Sequence, residues 1–323
     1  MKKPLLLAPT ALLAGLLSVS GQDPQPSPTP FTSAATGVTP DSTDPRVRRE
    51  QAFAKLLEGQ RYIWKTYRLQ SQAGKTSQML LAKPAFQRAI ELDPSLAEAY
   101  TALAEIAVAT PPGDLDAAIS LASQAVKVNP QNFGAHRLLA RFFTIKSRLN
   151  NGALDTAFAD KATAEWREVA RLDARNAEAW AFISAFAELR NQPEEQIRAL
   201  RSWVSSVPPI EDGFYERRMG GGSLAPEAAT VKLAAALAKS GKNDEAASLL
   251  SELIADDAQN AEAISMLNEV VDSTDAASAN KTITALQQAV YANPTNLSLI
   301  DMLARLQSRA GHLDEAVTLL KKY

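Results

Sequence analysis

Beyond Asp44-Pro45 the pattern of apolar and polar positions reads as helical to the last residue. No sustained alternation with period two is present and β-branched residues seldom cluster, so a sheet is not expected. One phrase then repeats: Ala89-Ile90-Glu91-Leu92-Asp93-Pro94 returns as Ala125-Val126-Lys127-Val128-Asn129-Pro130 and as Ala289-Val290-Tyr291-Ala292-Asn293-Pro294. Degenerate copies end at Ala174, Pro208 and Ala258, so the phrase closes at 94, 130, 174, 208, 258 and 294, at spacings of 36, 44, 34, 50 and 36. A period in this range, with insertions, predicts stacked helix pairs. Small residues such as Ala104, Ala118 and Ala246 allow two antiparallel helices to approach, while Leu103, Leu233 and Leu303 fill the seam. The closing proline cannot continue a helix, because it lacks an N–H and its ring clashes with the preceding turn.

Several positions match in register. Tyr100, Leu103, Ala104, Ala118, Ala125 and Pro130 form one set, and Trp180, Ile183, Ser184, Leu200, Trp203 and Pro208 another, with Gln196 where Ala is expected. Thr230, Leu233, Ala234, Leu237, Gly241, Ala246, Leu250 and Leu253 make a third, and Ile300, Leu303, Ala304, Gly311, Ala316, Leu320 and Tyr323 a fourth. Ala82, Phe86, Ala89 and Pro94 supply the second half of the first unit. On these residues the chain resembles the tetratricopeptide repeat (TPR) family over about residues 50–323. The resemblance implies an all-α solenoid of antiparallel helix pairs, a right-handed superhelix of about seven units spanning 46–323. The units are expected near 50–94, 95–130, 131–174, 175–208, 226–258, 259–294 and 295–323, with an insertion at 209–225.

The beginning of the chain adds a location. Met1-Lys2-Lys3, an uncharged apolar run from Leu5 to Val19 and the small residues Ser18-Val19-Ser20-Gly21 form the three-part pattern of a secretory signal. A signal peptide over residues 1–21 is expected, cleaved after Ser20 or Gly21, with export to a bacterial periplasm. The run falls short of the roughly 20 apolar residues of a membrane span, so no stable span is expected after cleavage. Residues 22–45 carry six prolines among Ser, Thr and Gly and read as a disordered linker that ends on an Asp44 helix cap.

Charge and chemistry narrow the function. With 34 basic and 36 acidic side chains the formal charge is -2, and no long basic run is present, which argues against a nucleic-acid partner. The absence of cysteine excludes disulfides, thiolate catalysis and cysteine-held metals. Only His136 and His312 occur, without paired-His or His-Glu-x-x-His spacing; the first falls at a packing position and the second in a turn. Gly220-Gly221-Gly222-Ser223 lacks the preceding strand and the lysine of a phosphate loop. No catalytic constellation, cofactor site or metal site is expected.

What remains is a scaffold that holds a protein or peptide; the alternatives are a structural accessory of cell-envelope assembly, in polysaccharide or pilus biogenesis, and an enzyme with an unrecognised site. Two surfaces are candidates for the scaffold. Phe214, Tyr215, Arg217 and Arg218 on the 209–225 insertion would form a recognition tip, and deleting 210–222 is expected to leave helicity intact. The TPR resemblance also implies a groove lined by the first helix of each unit, through Glu98, Thr101 and Glu105, then Arg137 and Arg141, then Glu178, Ala181 and Ala185. Further along the groove come Val231 and Ala235, Ser265 and Glu269, and Asp301 and Arg305. Arg137 and Arg141, four apart on one helical face, could clamp a carboxylate. At the far end Val317, Leu319 and Leu320 are expected on an edge that is either capped by Lys321 and Lys322 or open to docking, self-association included.

Overall fold

The computed structural model describes residues 44–148, 153–208, 213–220, 222–271 and 276–322. The expected signal peptide and all but the end of the linker lie outside these described residues. Among the described residues there are fifteen helices and no strand. They are α1 (Pro45–Thr66), α2 (Gln72–Leu92), α3 (Ala97–Ala109), α4 (Leu115–Val128), α5 (Phe133–Lys146), α6 (Thr156–Leu172), α7 (Ala177–Leu189) and α8 (Pro193–Val204). A short α9 (Gly213–Arg218) precedes α10 (Pro226–Lys239), α11 (Asn243–Asp256), α12 (Ala261–Val270), α13 (Ala276–Ala292), α14 (Leu297–Arg309) and α15 (Leu313–Lys322). Apart from α9 the helices follow one another as seven pairs.

The repeated phrase builds the connectors between pairs. Asn129, Asp173 and Asp257 end α4, α6 and α11, and each turns its side-chain oxygen onto the backbone N–H two residues on, at 3.0 Å, 3.1 Å and 3.0 Å. An asparagine then starts the next helix: Asn132, Asn176 and Asn260 accept from the N–H groups of Ala135, Ala179 and Ala263 at 2.9, 3.0 and 3.0 Å. One short polar run thus shapes the turn through its own N–H groups and caps an orphan N–H of the following helix. Within pairs a second turn recurs. Gly241 and Gly311 adopt φ values of 74° and 86°. The following N–H groups of Lys242 and His312 reach back to the carbonyls of Leu237 and Gln307 at 2.9 and 2.8 Å. A left-handed residue is required there, and glycine adopts it without strain.

Small residues set the stacking distance. Ala104, Ala118, Ala122 and Ala125 are fully buried where α3 meets α4 and the next pair. Gly59 of α1 does the same for the first pair, where an added Cβ would lie 2.6 Å from the Phe86 ring of α2. Second helices pack on the first helix of the following pair, α2 on α3, α4 on α5, α6 on α7, α8 on α10, α11 on α12 and α13 on α14. Some first helices also touch one another, α3 with α5, α10 with α12 and α12 with α14. The largest core cluster runs from Ala140 to Leu306 without a break, which is how units too small to bury their own apolar surface become stable.

Candidate functional site

The insertion between the fourth and fifth pairs does not stand away from the array. Its helix α9 drives Tyr215 into the core, where 1% of the residue is exposed. The Tyr215 ring meets Phe182 of α7 edge-on at 5.4 Å and Trp203 of α8 at 5.6 Å. Phe214 rests against Phe182 at 5.6 Å, and Phe182 stacks on Trp166 of α6 at 4.8 Å with an interplanar angle of 10°. The stack is pinned by its indoles: Trp166 Nε1 donates to Thr144 Oγ1 and Trp203 Nε1 to the Leu224 carbonyl, each at 3.1 Å. Burial pushes the Tyr215 phenol up to about 12, with Glu188 adding to the shift. The expectation of a free recognition tip is therefore corrected for Tyr215: an aromatic ring next to an apolar seam gains more by burial than by exposure. Deleting 210–222, expected to leave helicity intact, would take this buried ring out of the core.

By docking there, α9 becomes a wall on the face lined by first helices. A cleft of about 540 Å³ opens between α3, α5 and α9. Val108, Leu138, Phe142, Ile145 and Phe214 supply its apolar lining, Tyr67 stands at one end, and Glu105, Arg141, Arg217 and Arg218 bring charge. Tyr67 is 74% exposed and Val108 36% exposed, so apolar surface here faces solvent. Arg141 lies over the Phe214 ring at 4.9 Å and Arg218 lies 5.9 Å from it. Burial, together with Arg148 and Arg217 nearby, holds the Arg218 guanidinium below the ordinary arginine range.

The pair Arg137 and Arg141 does clamp a carboxylate, and that carboxylate belongs to the chain itself. Glu178 of α7 is fully buried. Its Oε2 accepts from Arg137 Nε at 2.7 Å and its Oε1 from Arg141 Nε at 2.8 Å. The expected grip on a partner is thus replaced, for this pair, by a tie between α5 and α7. A second tie lies behind it: His136 Nδ1 is 2.6 Å from Glu165 Oε2, and its Nε2 is 3.1 Å from the Pro130 carbonyl. Glu165 and the Pro130 carbonyl hold the buried imidazole above its ordinary value, against the opposing effect of burial.

The other groove residues read from the sequence are spread along the same face. Glu98 is exposed in the first turn of α3. Ala181, Ala185, Val231 and Ala235 line a cleft of about 210 Å³ that Tyr215 and Met219 also border. Ser265 and Asp301 line another of about 710 Å³ between α12 and α14. At the C-terminal edge Val317 and Leu320 are exposed on α15, and Leu319 lines a cleft of about 470 Å³ with Tyr291. Sequence reasoning passed over Tyr67, Val108, Ile145 and Arg148. Val108 and Ile145 sit just outside the repeat positions on α3 and α5, and that off-register apolar character is the signal that could have found them.

Among the described residues no group of three or more His, Asp or Glu side chains could hold a metal ion, and no helix is long and apolar enough to cross a membrane. No protein-family model and no curated protein matches the sequence. The chain is similar to several solved structures. The chain is similar to YrrB, described as a TPR protein with an unusual peptide-binding site, at 16% identity and a TM-score of 0.41 over 67% of this chain and 96% of that one. It is similar to Pseudomonas aeruginosa PilF at 17% identity and a TM-score of 0.41, over 80% and 99%. A tetratricopeptide repeat protein from Parabacteroides merdae matches at 14% identity and a TM-score of 0.40, over 82% and 91%.

Among the described residues the fold is an all-α array of helix pairs stacked one on the next. In this helical array α9 stands between the cleft on α3 and α5 and the one on α10 and α12.

Proposed function

We propose that the chain is a non-catalytic scaffold that holds a peptide segment of a partner protein against its first-helix face, in the cleft walled by α9. The observation that carries this reading is the cleft itself, about 540 Å³ with exposed apolar side chains beside charged ones. Such a lining suits an extended segment that buries one or two apolar side chains and orients itself by polar contacts. The rigid helices on either side add pre-organisation, because Glu178 fixes α5 to α7 and the aromatic stack fixes α9. The Lys2-Lys3 start and the Leu5–Val19 run support an exported, periplasmic setting for this activity. Fusing residues 1–45 to a reporter active only outside the cytoplasm tests that setting; an inactive fusion removes it.

The binding claim is tested by selecting random displayed dodecapeptides on the immobilised chain. Peptides recovered on the native protein should bind it in solution and lose binding to the variants Val108→Glu and Ile145→Glu, which place charge in the cleft. Recovery of no binding peptide, or binding indifferent to both variants, contradicts the proposal.

A further inference from the structure

The cleft holds more positive charge than its own fold uses. Arg217 is exposed on α9 and Arg218 is half-buried beside it. Arg218 lines the larger cleft and also a second of about 110 Å³, whose wall includes Arg148 at the end of α5. Among the described residues the carboxylates nearby are Glu105, Glu178, Glu188 and, beside Arg217 on α9, the exposed Glu216. Glu178 is taken by Arg137 and Arg141, and Glu188, on the wall of the second cleft, faces Lys239 at 3.5 Å. Glu105 borders the larger cleft from α3. Among the described residues no ion pair joins Arg148, Arg217 or Arg218 to a carboxylate. Three guanidinium groups are thus gathered around one ridge at a cost of mutual repulsion, an arrangement that an incoming anion relieves. Phe214 lies beside the Arg218 guanidinium as an apolar floor.

We propose that Arg148, Arg217 and Arg218 form an anion-reading ridge that selects acidic peptide segments, taking a carboxylate on the guanidinium forks while a neighbouring apolar side chain enters the cleft by Val108 and Ile145. Guanidinium forks match carboxylate geometry with two parallel N–H donors, which gives direction as well as attraction. This inference rests on the peptide-scaffold reading above and specifies its ligand chemistry. The carboxylate can come from Asp or Glu side chains or from a chain terminus.

The dodecapeptide selection, run in parallel on the native chain and on the variant R217E/R218E, tests it. Native protein should enrich peptides with two or more acidic residues beside an apolar one, and the reversed variant should enrich basic ones. A synthetic native-selected peptide should bind roughly tenfold or more weakly to R148Q/R217Q/R218Q and weaken as salt rises. Amidating its C-terminus separates the two carboxylate sources: an unchanged affinity assigns side chains, and a loss assigns the terminus. The exposed single variant R217E guards against a folding defect, and circular dichroism should show native helicity. Selected peptides without acidic bias, or insensitive to the arginine variants yet lost in Val108→Glu, overturn the ridge and leave the scaffold standing. Failure to select any peptide on either protein overturns both.

Discussion

Arg137 Nε donates to Glu178 Oε2 across 2.7 Å, joining a half-exposed guanidinium on one unit to a carboxylate fully buried in the next. Arg141 takes the other oxygen. A buried carboxylate flanked by two guanidiniums is costly to break from one side, because the remaining charges keep their desolvation without their partner. Glu178→Leu should therefore lower stability by about 2–3 kcal/mol in urea unfolding, discounted because both arginines keep some contact with water. The triple variant Arg137→Leu, Arg141→Leu, Glu178→Leu should be less destabilised than Glu178→Leu alone. A neutral Glu178→Leu would show that the tie is ornamental.

Tyr215 reports whether α9 is docked. Its folded-state pKa is about 12 against an ordinary 10.0, so the folded protein retains this proton where the unfolded chain loses it. The sign follows directly: stability falls as pH rises from about 10 toward 12, and the fall should be absent in Tyr215→Phe. Ultraviolet titration should show one tyrosine ionising after the rest. Truncation to Tyr215→Ala should cost about 3 kcal/mol or more, as for other buried aromatic rings. A Tyr215 that titrates with the exposed tyrosines places α9 off the array.

His136 supplies a pH signature nearer neutrality. Its folded pKa lies above the ordinary 6.5, first through Glu165. The stabilisation from this pair is fully present below the unfolded value and is lost as pH rises through the raised folded one. NMR of the two histidines should find His136 titrating above 6.5, and His136→Gln should flatten the stability profile on the alkaline side of that value. A His136 titration below 6.5 contradicts the Glu165 contact.

Gly59 gives a test of packing in the first pair. Alanine is the better helix former by about 1 kcal/mol. Its Cβ would nonetheless sit 2.6 Å from the fully buried Phe86 ring. Overpacking of this kind costs about 1–3 kcal/mol, so Gly59→Ala should be neutral to destabilising by up to about 2 kcal/mol. A thermal midpoint raised by the substitution would mean that α1 stands farther from α2 than described.

These residues also mark what the sequence can disclose. The helix pairs are legible because local chemistry repeats: Ala104, Ala118 and Ala125 carry the seam, and Asn129 with Pro130 writes the turn. Gln196 departs from the expected alanine, and it lies half-buried on the border of the cleft shared with Tyr215, where space exists for a longer side chain. The docking of α9 was not legible. Phe214-Tyr215 belongs to no repeat register, and the partners of Tyr215, Phe182 and Trp203, lie 33 and 12 residues before it along the chain. Glu178 read as a groove residue for the same reason: its neighbours Arg137 and Arg141 belong to another unit, and only the packing of α5 and α7 through α6 brings them together.

Photo-crosslinking reads whether the proposed partner segment lies on α3, α5 and the α9 wall. A selected peptide carrying a benzophenone side chain is irradiated with the full chain, and the joined residues are read by mass spectrometry. Crosslinks on 105–109, 138–145 and 214–218 are predicted. Crosslinks confined to the second helices or to the α15 edge, with none on α9, would contradict the account.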